Sequence, residues 1–393
     1  MDIRGFSFST VEAAIKTAGR KDLALIISEV PATAAAVFTT STVKAAPVLL
    51  SREHIASGFA QALIVNSGNA NACTGEAGMK VSQETAQLVA DALEIDSTAV
   101  QVCSTGVIGV QMPMERIRSA IPALVDGLKS GTLDDIAQAI MTTDTFPKME
   151  AVSGQAGGVS YTVAGIAKGA GMIMPNMATM LSFIITDAAI EPIFLQQIFR
   201  SAVDSSFNAI TVDGDMSTND TCLIMANGMA GNTIITAGSA EGKTFAAILN
   251  KVLLSLAKQI VKDGEGASKF VEIRVSGARN DAEAKSAAMA IANSSLVKTA
   301  FFGQDANWGR IFAAVGYSGA EVDQSRLSLS FNDVCMARNG IFAGDDAEAR
   351  GTEVLKLKEF TVSVDLGIGS GAATVYTSDL THEYININAD YRS

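Results

Sequence analysis

The chain has 393 residues, a formal net charge of −12 and a sequence pI near 4.7. This acidic balance argues against a nucleic-acid partner, which needs clustered Lys and Arg, and favours small-molecule chemistry. The length exceeds one average domain, so two subdomains with a substantial core are expected.

The opening residues MDIRGFSFST show no basic leader followed by an apolar stretch. No segment approaches the roughly 18 uninterrupted apolar residues of a membrane span, so a cytoplasmic location is expected. Cys73, Cys103, Cys222 and Cys335 are widely spaced, without the CxxC pairs of a zinc or redox site. They read as small reduced core residues.

Residues 23–27 and 62–65 are short continuous apolar runs, suited to strands covered on both faces. The same holds for residues 223–225. Phe245, Ile248, Leu249, Val252, Leu256 and Ile260 follow helical spacing. Val271, Ile273 and Val275 alternate with polar residues, as strands with one buried face do. Asn280 with Glu283 resembles a capping box ahead of an alanine-rich helix to Ala292. Leu327, Leu329 and Phe331, then Phe360, Val362, Val364 and Leu366, alternate again. GIGSG at 367–371 superficially matches a dinucleotide fingerprint, but the strand-like AATVYT follows it, so a hairpin turn is expected. The fold class is α/β, with mixed sheets covered by helices and no internal repeat.

Chemistry concentrates in residues 168–185, KGAGMIMPNMATMLSFII. Gly169, Gly171, Pro175 and Asn176 disfavour regular structure, whereas the residues after Thr179 form an apolar run of strand length. A threonine at a loop-to-strand boundary can turn its hydroxyl on the preceding carbonyl. An N-to-O acyl shift and hydrolysis would then break the Ala178–Thr179 bond and leave Thr179 as a new N-terminus. Nucleophile and base would sit in one residue, because an α-amine with a pKa of roughly 7.7 to 8.0 is partly neutral near pH 7. On residue types alone, a core strand with a buried threonine is the better explanation of the segment. The two histidines, His54 and His382, have no nucleophile motif beside them.

The segment resembles the self-cleaving site of the ornithine acetyltransferase family, also called glutamate N-acetyltransferase or the arginine-biosynthesis bifunctional enzyme. GRKDLALIISEVPATAAAVFTT, VNSGNANACTG, CSTGVIG, TTDTFPK, ITVDGDMSTND, DGEGASKF, FFGQDANWGRI and INADYRS follow in family order across essentially the whole chain. Ala170, Met174 and Ser393 depart from the usual pattern, but none removes a reacting group.

The resemblance implies a two-subdomain layered fold, of the type shared with N-terminal-nucleophile aminopeptidases. It also implies an N-terminal chain 1–178 and a C-terminal chain 179–393 that stay associated, two copies of each. Thr179 would be the nucleophile, Thr105 and Gly106 the oxyanion hole, and Thr142, Lys168, Thr179, Glu265, Asn388 and Ser393 the substrate contacts. Lys168 is suited to a substrate carboxylate and Glu265 to the ornithine ammonium, since buried ions are tolerated chiefly when paired. The implied reaction moves acetyl from N2-acetylornithine to glutamate without an external cofactor, and some family members also accept acetyl-CoA. A metal is not expected: Asp213, Asp215 and Asp220 lack the spacing of a calcium loop. The competing readings are an N-terminal-threonine amidase or aminopeptidase that passes the acyl group to water, and a non-catalytic amino-acid-binding protein.

Overall fold

The computed structural model describes residues 3–174 and 180–390. Contacts divide the described residues into two units: one runs to Asn208 and takes in Asp215–Ile260, the other consists of Ala209–Gly214 and residues 261–390. This packing boundary differs from the expected cleavage point, as it can, because a cut peptide bond and a compact unit are independent properties.

The first unit is built on an eight-stranded sheet of β1 (Phe6–Val11), β2 (Leu23–Phe38), β3 (Phe59–Asn69), β4 (Val100–Val107), β5 (Lys148–Ala156), β6 (Val159–Lys168), β7 (Leu181–Thr186) and β9 (Thr221–Ala226). The order is β4-β3-β2-β9-β7-β6-β5, with β1 also on β2. Strand β2 has 16 residues: its first half pairs with β1 and its second with β9, while β3 runs along the other edge. The β3–β4 and β7–β9 pairs are parallel and the rest antiparallel.

Both faces of this sheet are covered, which explains its unbroken apolar runs. Leu23, Leu25 and Ile64 join a cluster with Leu50, Val89 and Ile121, whereas Ala24, Ile26, Leu63 and Val65 join Ile136, Phe183 and Met225 on the opposite side. Successive residues of one strand thus feed different cores. The helix Ala240–Lys262 is long and apolar enough, by composition, to span a membrane. Here Phe245, Leu249, Val252, Leu253, Leu256 and Ile260 are fully buried, at about 1.5–3 kcal/mol for each large apolar side chain. Val252 and Leu256 lie so close to Gly165 of β6 that a Cβ there would crowd them.

The second unit holds β8 (Ile210–Thr211), β10 (Phe270–Ala278), β11 (Ser328–Phe331), β12 (Val334–Arg338), β13 (Ile341–Phe342), β14 (Glu359–Asp365) and β15 (Gly371–Ser378). Their order is β13-β12-β11-β14-β10-β15-β8, and the buried sides of β10, β11 and β14 form one core with the helix Asp281–Asn293.

Three sequence expectations need correction. Residues 367–371 are not a hairpin turn, because β10 lies between β14 and β15. The connection crosses the end of β10, where Ile368 and Gly369 N–H groups donate to the Gly277 carbonyl. Gly369 and Gly371 permit that approach: a Cβ at either would fall within 2.6 Å of backbone. The Asn280 side chain caps the Glu283 N–H at 3.0 Å, but the capping box is not completed. The Glu283 carboxylate instead meets Arg279 and the Glu321 N–H. Cys73 is exposed, in a left-handed turn before the helix Gly75–Leu93, unlike the buried Cys103 and Cys222.

Candidate active site

The predicted oxyanion residues lie at the end of β4, where its pairing with β3 slips by a bulge at Gly68 and Asn69. Bulges of this kind re-aim side chains and end regular pairing. Gly106 has φ +137°, and a Cβ there would sit 2.2 Å from the Gly68 carbonyl carbon. Only glycine allows the two backbones to meet so closely.

The asparagines of VNSGNANACTG shape the turn beside it. Asn66 Nδ2 donates to the Asn69 carbonyl, Asn69 Oδ1 accepts the Asn71 N–H, and Ser104 Oγ donates to Asn66 Oδ1 at 2.6 Å. Asn219 then ties this turn to the loop before β9, donating to the Ala70 and Ser104 carbonyls. These short polar side chains replace ladder bonds that the bulge removes.

Thr105, Thr142 and Lys168 come together around one ammonium group. Lys168 ends β6 with its side chain 5 % exposed, and its Nζ donates to Thr142 Oγ1 at 2.7 Å and, more weakly, to Thr105 Oγ1 at 3.5 Å. Its third neighbour is Asp144 Oδ2 at 3.8 Å. The Asp144 carboxylate also accepts from Lys148 Nζ and the Gly169 N–H, both at 2.7 Å, and from the Thr142 N–H at 3.0 Å. Both Asp144 and Lys148 side chains are fully buried. Burial alone would raise the Asp144 pKa, but the charges of Lys168 and Lys148 and the hydrogen bonds outweigh it and hold the carboxyl well below the usual range.

Thr142 and Asp144 line a cavity of about 460 Å³ together with Arg20, Lys21, Asp135 and Gln138. Its two cations are matched by two carboxylates, Lys21 pairing with Asp135 at 3.3 Å. Arg20 is fixed there by the Met141 carbonyl at 2.6 Å and Ser67 Oγ at 3.2 Å. A larger cavity of about 720 Å³, lined by Thr39, Lys44, Arg52 and Arg200 among others, contains none of the predicted site residues.

Sequence reading missed Asp144, Lys148 and Arg20, although all three stand in motifs that it had noticed. An acid four residues from a lysine in a non-helical stretch, TDTFPK, was the available signal. Its partner Lys168 lies one strand away, which spacing alone does not reveal.

In the second unit, Asn388 Nδ2 donates to Glu265 Oε2 at 2.8 Å. The C-terminal helix His382–Asp390 folds back on the DGEGAS loop: Thr381 Oγ1 donates to the Gly266 carbonyl, and a Cβ at Gly266 would lie 2.4 Å from the Tyr384 nitrogen. Ala178, Thr179 and Ser393 lie outside the described residues. Met180, which follows them, donates its N–H to Asp220 Oδ1, and Leu181 is paired with Lys168. Neither histidine joins these groups. His54 Nδ1 contacts the Val100 carbonyl, and His382 packs edge-on against Phe302.

Residues 7–393 match the ArgJ family. The chain belongs to that family. It is 67 % identical over 393 residues to the arginine biosynthesis bifunctional protein ArgJ of Geobacter sulfurreducens, across 100 % of both chains. The ArgJ protein of Syntrophotalea carbinolica is 55 % identical over 392 residues, covering 100 % of this chain and 99 % of that one. A crystal structure of ArgJ from Bacillus halodurans aligns at 43 % identity and a TM-score of 0.53, over 54 % of this chain and 100 % of that chain. In the first unit of this ArgJ-family chain, the bulge, the buried lysine and the asparagine turn are linked by hydrogen bonds through β4.

Proposed function

We propose that this ArgJ-family chain transfers acetyl from N2-acetylornithine to glutamate, with Thr179 as the carrier. The observation that carries the reading is full-length identity of 67 % to an arginine biosynthesis bifunctional protein. Thr179 Oγ first attacks the Ala178 carbonyl; water then hydrolyses the resulting ester, freeing the Thr179 α-amine and the Ala178 carboxylate. In turnover the α-amine takes the hydroxyl proton while Oγ attacks the acetyl carbonyl. Ornithine departs with a proton, and the glutamate amine then attacks the acetyl-threonine ester to give N-acetylglutamate and restore the hydroxyl.

Thr105 and the Gly106 N–H serve as oxyanion donors, each such donor being worth about two to three orders of magnitude in rate. Lys168, with Thr142, meets the substrate α-carboxylate; Glu265, steadied by Asn388, meets the ornithine ammonium; Ser393 completes the contacts. No external cofactor enters this scheme, and acetyl-CoA is an alternative donor to glutamate. The two chains remain associated as two copies of each, in the cytosol. The Bacillus halodurans chain supports cleavage: it is matched along 100 % of its length yet accounts for 54 % of this chain, near the roughly 55 % that residues 179–393 represent.

Two measurements test the assignment. With glutamate supplied, N-acetylglutamate should form faster than free acetate; predominant acetate would identify a hydrolase instead. Glu265→Gln should weaken N2-acetylornithine binding by about tenfold or more, since a hydrogen bond to a charged group contributes about 1.5–3 kcal/mol. Thr179→Ala should change that binding little. Equal losses in the two variants, read by calorimetry, would remove Glu265 from the ammonium site.

A further inference from the structure

The turn that carries Glu265 and the helix that carries Asn388 are joined at one hydroxyl. In DGEGAS the Gly264 carbonyl accepts the Ala267 N–H at 2.8 Å, which closes a four-residue turn with Glu265 and Gly266 at its corners. Gly266 has a left-handed φ of +66°, which a turn corner reserves chiefly for glycine. Beyond the turn, Asp379 holds the chain independently, its Oδ1 accepting the Ser268 N–H at 2.8 Å and the Lys269 N–H at 3.0 Å. The seating of the turn itself depends on Thr381.

Thr381 is 7 % exposed and bonds in two directions. Its Oγ1 accepts the Glu383 N–H at 3.1 Å and, more weakly, the Tyr384 N–H at 3.4 Å, so it caps the helix His382–Asp390. The same hydroxyl donates its proton to the Gly266 carbonyl at 2.7 Å. One helical turn further on, Asn388 Nδ2 donates to the Tyr384 carbonyl at 3.0 Å and to Glu265 Oε2 at 2.8 Å. Helix and turn therefore touch twice, at the cap and at the carboxylate.

We propose that Thr381 is a positioning residue for donor selectivity: it locks the Glu265 turn onto the helix of Asn388 and so fixes the carboxylate that meets the donor's side-chain ammonium. The inference rests on the reading of Glu265 as the ammonium site. A charge-assisted hydrogen bond weakens steeply with length and angle, whereas apolar contact is non-directional. Loss of the lock therefore costs a donor ending in an ammonium more than one ending in a methyl group.

N2-acetylornithine and N2-acetylnorvaline make that comparison, because they share a chain length and differ in the terminal ammonium. Thr381→Val keeps the volume and removes the hydroxyl; Thr381→Ser keeps the hydroxyl. The readout is the ratio of kcat/KM for N2-acetylornithine to that for N2-acetylnorvaline, measured on the protein as purified with saturating glutamate. Thr381→Val should lower this ratio by about tenfold, mainly through a higher KM for N2-acetylornithine, since misplacing a group by about 1 Å costs up to about a hundredfold. Thr381→Ser should hold the ratio within about twofold of wild type, because serine donates and accepts as threonine does. A wild-type ratio in Thr381→Val would overturn the inference, and so would an equal fall in kcat/KM for both donors, the mark of a merely structural role. If Thr381→Val does not fold, as judged by circular dichroism, Gly266→Ala decides from the other side of the contact. A Cβ there would lie 2.4 Å from the Tyr384 nitrogen, so the turn must part from the helix and the ratio should fall alike; an unchanged ratio overturns the inference. Failure of the Glu265 reading shows differently, as a wild-type ratio in Glu265→Gln.

Discussion

Asparagine in place of Asp144 is expected to destabilise the first unit by about 3–5 kcal/mol, the cost of breaking a buried ion pair by removing one partner. Lys148 is fully buried and Lys168 is 4 % exposed, so neither ammonium can turn to bulk water once the carboxylate is gone. The amide would keep one acceptor for Lys148 or the Gly169 N–H. Its NH2 group would then face donors, Lys168 and the Thr142 N–H, where the carboxylate now accepts. For a domain of 150–250 residues, each 1 kcal/mol shifts Tm by about 2–4 °C, so a fall of roughly 10 °C is expected in a calorimetric melt. A change within about 2 °C would show that the cluster contributes little.

The same group sets a pH dependence with a definite sign. The folded-state pKa of Asp144 is depressed, so its contribution is fully present above the unfolded carboxylate value of about 3.9 and is lost as pH falls from there toward the folded value. Wild type should therefore lose stability steeply below about pH 4. Asp144→Asn should lack that part of the acid limb.

Thr179→Ala should lower acetyl transfer by about four orders of magnitude or more, as loss of a covalent nucleophile does. The substitution removes the hydroxyl that accepts acetyl and also the one that performs the N-to-O shift. Uncleaved chain and absent transfer are thus two consequences of one missing oxygen. Thr105, Thr142 and Lys168 remain in place, bonded to one another and to Asp144, so N2-acetylornithine should still bind. Steady-state assay of N-acetylglutamate, beside calorimetry of the same sample, separates the two quantities. Retained transfer in Thr179→Ala would point to another nucleophile.

Much of the second unit was legible in the sequence because its strands bury one face. Alternation at Val271, Ile273 and Val275, and at Phe360, Val362 and Val364, matches β10 and β14 residue by residue. The first unit was harder to read. The run at 23–27 gave only the beginning of the 16-residue β2, whose later alanines carry little periodic signal because both faces are covered. GIGSG misled because a glycine-rich turn between two strands reads as a hairpin when the intervening strand comes from far earlier in the chain. Motif likeness picked out Thr105, Thr142 and Lys168, and the fold places them within hydrogen-bonding reach. The likeness was silent about Asp144, whose role arises only when β5 and β6 bring Lys148 and Lys168 to one carboxylate. Asp220 was set aside as a metal ligand and given no other role, whereas in the structure its carboxylate accepts the Met180 N–H. An isolated acid in a loop carries no label for the backbone N–H it will meet.

Denaturing electrophoresis of the purified wild-type protein, with N-terminal sequencing of every band, is the most direct test of the Thr179 mechanism. Two bands are predicted, the C-terminal one beginning Thr179-Met180-Leu181. A single band of 40.8 kDa in protein that nevertheless transfers acetyl would contradict it.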